Sequence, residues 1–188
     1  MKSILLSIRL QWVAKILNGE KTIEVRKQFP KDYVGWVYVY CTKGELLQRN
    51  WQKVDGIGKF ITYGRKAKEK DYNSSHTLNG KVVARFWCDK VEEITTEKWS
   101  PSKEQDLLKA SCLTENQLFD YCNLESGKPF YAIHISGREI FDEPIELNEL
   151  KHWKDKSEYG CWYENKLTKA PQNYCYIEGE EWWTINKH

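Results

Sequence analysis

The spacing of apolar residues changes near Gly19. From Leu10 to Leu17 a short helix is predicted, with Val13, Ile16 and Leu17 on one face, and Gly19 can take the left-handed conformation that ends it. From Thr22 to Lys27 the period falls to two, so Ile23 and Val25 point to one side of a strand and Thr22, Glu24 and Arg26 to the other. Ser3–Arg9 reads as an earlier strand, apolar enough for the middle of a sheet, with Ser7 and Arg9 projecting from one face at its end. Trp36–Thr42 alternates Trp36, Tyr38 and Tyr40 with Val37, Val39 and Cys41, and Lys43 follows at the strand end. Lys81–Ile94 predicts a long strand. Phe130–Ser136 and Glu139–Leu147 predict two more, separated at Gly137-Arg138, with Pro144 putting the second at an edge.

Helical spacing predicts Ser102–Lys109 and Thr114–Tyr121, the latter opened by Thr114 three residues before Gln117, a capping-box spacing. A short helix is expected around Leu46–Trp51, and another from a cap at Asn148 through Trp153. Residues 44–79 are polar and basic, with Arg65, Lys66, Lys68 and Lys70 interleaved by Tyr63 and Tyr72. This stretch reads as an exposed excursion that is either a solvated loop or an RNA contact. Residues 154–188 begin charged and loose. The aromatic run Ala170–Ile177 is expected to return and pack on the strands. Strands outnumber short helices, so the expectation is a single α+β domain spanning 1–188.

The chain has 188 residues, a formal net charge of +2 and 30% charged residues, which excludes the overall basic field of a dedicated nucleic-acid coat. Any site for a polyanion must be local. Nine Trp and eleven Tyr supply flat side chains that either fill a core or stack on bases. The six cysteines include no Cys-x-x-Cys pair. The apolar run from Met1 is broken by Arg9, too early for a signal peptide, and no stretch could span a membrane. A cytoplasmic protein with reduced cysteines is therefore expected. Zinc on His152, Cys161 and Cys175 is the minor reading, so neither metal nor cofactor is expected.

The chemistry concentrates in Gly19-Glu20-Lys21-Thr22-Ile23-Glu24-Val25-Arg26-Lys27, where an acid and three bases fall within seven residues. Glu24 and Arg26 are same-face neighbours about 6.6 Å apart along a strand. Lys21 sits at the helix-to-strand corner, where a long amine could swing over the mouth of a cleft. A solvated strand with alternating charge gives the same pattern without a ligand.

With the run Ile4–Arg9 and the short helix, this stretch resembles the opening of an ASCH domain, whose signature is a Gly-x-Lys-x-x-Glu-x-Arg-type motif filled here by Gly19, Lys21, Glu24 and Arg26. The ending Pro171-Gln172-Asn173-Tyr174-Cys175-Tyr176 resembles the larger, phage-associated ASCH proteins. The resemblance implies a PUA-like fold, a small β-barrel with short helices packed at its rim. It also implies a cleft lined by Lys21, Glu24 and Arg26, with Arg9 and Lys43 from neighbouring strands. The partner it implies is RNA, another single-stranded nucleic acid or a modified nucleoside, held by cations on phosphate, a carboxylate on a base amine, and aromatics.

Some ASCH members are amidohydrolases that deacylate a modified cytidine with a Lys, a Thr and a Glu, and ribonuclease activity is also described in the group. Lys21 matches the Lys, whereas Glu24 stands where the Thr belongs, and the catalytic Glu falls near Ser111 and Cys112. Lys21 and Glu24 are thus the candidate catalytic pair for hydrolysis without a covalent intermediate, and binding without turnover is the preferred expectation. On this reading Lys21→Ala and Arg26→Ala weaken RNA binding while the fold survives. Oligomeric state is left open.

Overall fold

The computed structural model describes residues 2–54, 57–66, 68–69, 77–95, 100–153 and 165–179, with side chains at 45, 49–54 and 57–66 left aside. The strand β1 (Lys2–Ile8) is followed by α1 (Leu10–Leu17), β2 (Ile23–Arg26) and β3 (Gly35–Cys41). Then come β4 (Glu45–Val54), β5 (Ile57–Lys66) and β6 (Lys81–Ile94). Two helices, α2 (Pro101–Ser111) and α3 (Glu115–Cys122), precede β7 (Phe130–Glu146) and β8 (Tyr174–Glu178). Six strands form one mixed sheet in the order β2-β7-β6-β3-β1-β8, and β4 and β5 form a separate two-stranded sheet, with a further bridge from Gln48 to Thr77. The architecture is α+β.

Strand β1 runs parallel to β3 on one side and antiparallel to β8 on the other, so it lies inside the sheet. Its consecutive apolar residues Ile4, Leu5 and Leu6 follow from burial on both faces. Ile4, Leu6 and Ile8 join a core with Val13, Ile16 and Leu17 of α1 and with Val37, Val39 and Phe86, while Leu5 enters a second core with Tyr38, Val82 and Ile177. Each fully buried aliphatic side chain of α1 contributes about 1.5–3 kcal/mol, which holds a helix far too short to persist alone. Gly19, at φ +78°, takes the left-handed turn out of α1. A third core of Val25, Leu107, Leu118, Phe130 and Ala132 seats α2 and α3 against β2 and β7.

The sheet departs from the expected closed barrel. Among the described residues no ladder joins β2 to β8, the two ends of the sheet. Side chains bridge the gap instead: Arg26 at the end of β2 donates from Nη2 to Ser7 O of β1 at 2.7 Å, and Asn173, just before β8, donates from Nδ2 to Gln28 O at 2.9 Å.

Other expectations also change. The helix expected around Leu46–Trp51 is strand β4, because Leu46 and Leu47 are both buried in a hairpin with β5 and Asn79 Oδ1 accepts from Leu47 N at 2.8 Å. Thr77, Leu78 and Asn79 are buried too, so the end of the 44–79 excursion is packed rather than exposed. Of its basic and aromatic residues only the Lys68 side chain is described, and it is exposed; those of Tyr63, Arg65, Lys66, Lys70 and Tyr72 lie outside the described residues.

Strand β7 continues through Gly137-Arg138 because β6 pairs with it along nearly its whole length. Pairing to β2 stops at His134, which leaves the Pro144 end as the edge. The helix expected from Asn148 is one 3-10 turn, Leu147–Glu149, capped by Glu146 and Glu149. Residues Lys151 and His152 pair instead with Lys166 and Ile177.

The capping box on α3 forms as its spacing predicts: Thr114 Oγ1 accepts from Gln117 N at 3.3 Å, and Gln117 Oε1 accepts from Thr114 N at 3.0 Å. Thr114→Ala is expected to cost about 1 kcal/mol in urea unfolding.

Candidate functional site

Strand β2 is two-faced, and that divides its work. Ile23 and Val25 turn toward α2 and α3, while Glu24 and Arg26 turn to the other side. Lys21, at the corner before the strand, does not swing over an open mouth. It is only 2% exposed, and Glu24 and Arg26 are 5% and 8% exposed. Nζ of Lys21 donates to Ser111 O at 2.6 Å and lies 3.3 Å from Glu24 Oε2. The Arg26 guanidinium meets Glu24 Oε1 at 2.9 Å. One carboxylate therefore sits between two cations in a nearly dry setting, each of its oxygens engaged by a different one.

This triad forms the floor of a cleft of about 840 Å³, within the range typical of sites for small ligands. All five residues singled out in the sequence, Arg9, Lys21, Glu24, Arg26 and Lys43, line it. The end of β1 supplies Ser7, the end of β3 supplies Tyr40, and α1 supplies Trp12. Four cations face two carboxylates, Glu24 and Asp120, so the cleft is locally positive on a chain that is nearly neutral.

Sequence reasoning missed the aromatic part of this lining. Trp12 lies under the Lys21 ammonium, with Nζ 5.2 Å from the ring centroid. Tyr121 of α3 is 40% exposed, and Lys27 Nζ stands 5.5 Å from its ring. Burial pushes the Tyr121 hydroxyl up in pKa, the Arg26 guanidinium opposes this, and the Glu24 carboxylate adds to it. Nothing in the spacing of α3 distinguishes Tyr121 from a solvent-facing residue; only its position across the cleft does. The segment Ala170–Gln172 was also missed as a wall.

No protein-family model matches the sequence, and no curated protein is significantly similar to it. The fold, in contrast, has solved counterparts. The crystal structure of ASCH from Zymomonas mobilis superposes with a TM-score of 0.57 at 14% identity, covering 97% of this chain and 92% of that one. A tyrosine-to-phenylalanine variant of the same protein gives 0.57 at 13% identity, covering 98% and 96%. The chain has the fold of an ASCH protein.

The likeness in fold spans nearly the whole length of both chains. Ser111 and Cys112, where the amidohydrolase Glu was aligned, stand beside Lys21 and carry no carboxylate. Ser111 offers Lys21 its backbone oxygen, and the Cys112 thiol donates to Glu20 O at 3.3 Å. Among the described residues no group of three His, Cys, Asp or Glu side chains is arranged to hold a metal ion, and Cys161 lies outside them. No helix among them is long and apolar enough to cross a membrane.

Proposed function

We propose that the cleft binds RNA or a modified nucleotide, that the chain belongs to the ASCH family as a single domain of the larger, phage-associated type, and that it works in the cytoplasm. The observation that carries the binding reading is the lining of the cleft: rim cations Arg9 and Lys43 suit phosphate, the Lys21–Glu24–Arg26 floor suits the polar edge of a base, and Trp12 and Tyr121 suit its faces. Binding is favoured over turnover because Glu24 and Lys21 are committed to a structural ion network, Glu24 with both cations and Lys21 also with Ser111 O, and because Ser111 and Cys112 carry no carboxylate for the catalytic Glu. Incubation with N-acylated cytidine is expected to release no free cytidine. Release that disappears when Lys21 is replaced would favour the amidohydrolase instead, and metal-independent cleavage of RNA would favour the ribonuclease.

The test of binding uses the rim, because Arg9 and Lys43 are exposed and can be changed without disturbing a core. Arg9→Ala and Lys43→Ala are each expected to weaken binding to single-stranded RNA and to lower the slope of log affinity against log salt by about 1. Slopes and affinities equal to those of the unaltered protein on a varied panel of RNA and single-stranded DNA would overturn the reading.

A further inference from the structure

Exposure falls steeply from the rim of the cleft to its floor. Arg9, Lys43 and Gln172 are open to solvent, whereas the triad is at most 8% exposed. A strand of nucleic acid lying across the mouth would meet rim cations and never reach Glu24. Contact with the floor requires a flat polar group inserted edge-first. On that floor Arg26 Nε is buried and has no hydrogen-bond partner among the described residues.

One part of the rim is irregular chain that is unusually well fastened. Ser7 Oγ donates to Pro171 O at 2.6 Å and Ser7 N donates to Asn173 O at 3.1 Å. Asn173 Nδ2 donates to Gln28 O at 2.9 Å, and Arg26 Nη1 donates to Asn173 Oδ1 at 3.4 Å. These bonds tie the strap Ala170–Asn173 to β1 and to the end of β2, across the gap that no strand ladder closes among the described residues. Arg26 serves both the floor and the fastening.

Resting on the RNA or nucleotide reading above, we infer that the cleft admits one nucleotide unit, inserted base-first, and that the Ala170–Asn173 strap imposes this limit by walling off the path of a second. The unit is either a free nucleotide or one everted from a chain. Tyr121 and Trp12 line the walls of the cleft, and Arg9 and Lys43 stand at the mouth for the unit's phosphate.

The experiment titrates the full chain with ribonucleotides one, two, four and eight residues long, of each base in turn, together with a circular octamer. A mononucleotide is expected to compete with the octamer for a single site, and affinity is expected to rise less than about tenfold from dimer to octamer, since only rim charge is added. Equal binding of circular and linear octamers assigns the unit to an everted base, and preference for the linear form assigns it to a chain end; either supports a one-unit site. Asn173→Ala, which removes two of the fastenings, is expected to raise the octamer's advantage over the mononucleotide about fivefold or more, the least that one further stacked base brings.

Affinity that climbs several-fold with every added nucleotide, with no competition by the mononucleotide, overturns the inference and leaves RNA binding standing. Absence of binding by every probe overturns RNA binding and this inference with it. An unchanged octamer-to-mononucleotide ratio in Asn173→Ala that still unfolds cooperatively overturns the role of the strap. Pro171→Gly, which keeps the backbone acceptor and loosens the strap, carries the same test should Asn173→Ala fail to fold.

Discussion

Glu24→Ala is expected to destabilise the protein by about 3–5 kcal/mol in urea unfolding, because it strands two buried cations with no counter-charge. Lys21 and Arg26 stand 3.3 and 2.9 Å from the carboxylate oxygens, and all three side chains are at most 8% exposed. Lys21→Ala carries a cost for the same reason: it removes one cation from Glu24 and leaves Ser111 O, a buried residue's carbonyl, without its donor. The expectation that Lys21→Ala weakens binding in an intact fold is therefore revised, and the rim residues are the cleaner probes of binding.

Replacing all three charged residues together by apolar ones of similar size is expected to be nearly neutral or stabilising, since a buried ion network rarely repays its desolvation. If the triad serves a ligand, that triple variant folds and loses binding. A loss below about 1 kcal/mol in Glu24→Ala would mean that the site is solvated enough to behave as a surface pair.

The site was legible to the extent that chemistry lay within one strand and its corner. Period-two alternation put Glu24 and Arg26 on one face, and Gly19 fixed where the helix stops, so the triad could be assembled from nine consecutive residues. What could not be read was depth. A Lys-x-x-Glu-x-Arg run looks the same whether it is wet or buried, and only the packing of α2, which brings Ser111 O to Lys21, makes the difference.

Tyr121 and the Ala170–Asn173 strap come from parts of the chain more than ninety residues beyond β2, and no local pattern connects them to it. The misread helix at Leu46 has a similar cause. Polar residues flank Leu46-Leu47, and nothing in the stretch itself reveals that β5 supplies the ladder and Asn79 the extra bond. Closure was expected from the family resemblance, and the alternating strands themselves imply a sheet without deciding whether its ends meet.

Stability is expected to fall sharply between about pH 9 and pH 12, and buried thiols are the reason. Burial pushes Cys41 up from 9.0 to about 12, so the folded chain keeps that proton while the unfolded chain releases it near pH 9. In this window the unfolded state binds fewer protons than the folded one, which makes stability decrease as pH rises. The contribution is whole below about pH 9 and is lost progressively up to about pH 12. At about 1.4 kcal/mol per pH unit, Cys41 alone removes about 4 kcal/mol across the window.

Burial pushes Cys122 to about 12 as well, and Cys88 and Cys175 to about 11, so they add in the same direction. Tyr33, whose hydroxyl donates to Trp36 O at 2.6 Å, is also raised by burial. Urea midpoints measured under reducing conditions from pH 8 to pH 11 should therefore decline steeply, and Cys41→Ala should flatten the decline while lowering stability at pH 8 only modestly. A profile flat through pH 11 would show that these thiols reach solvent in the native state and that the cores around β1 and β3 are looser than their packing indicates.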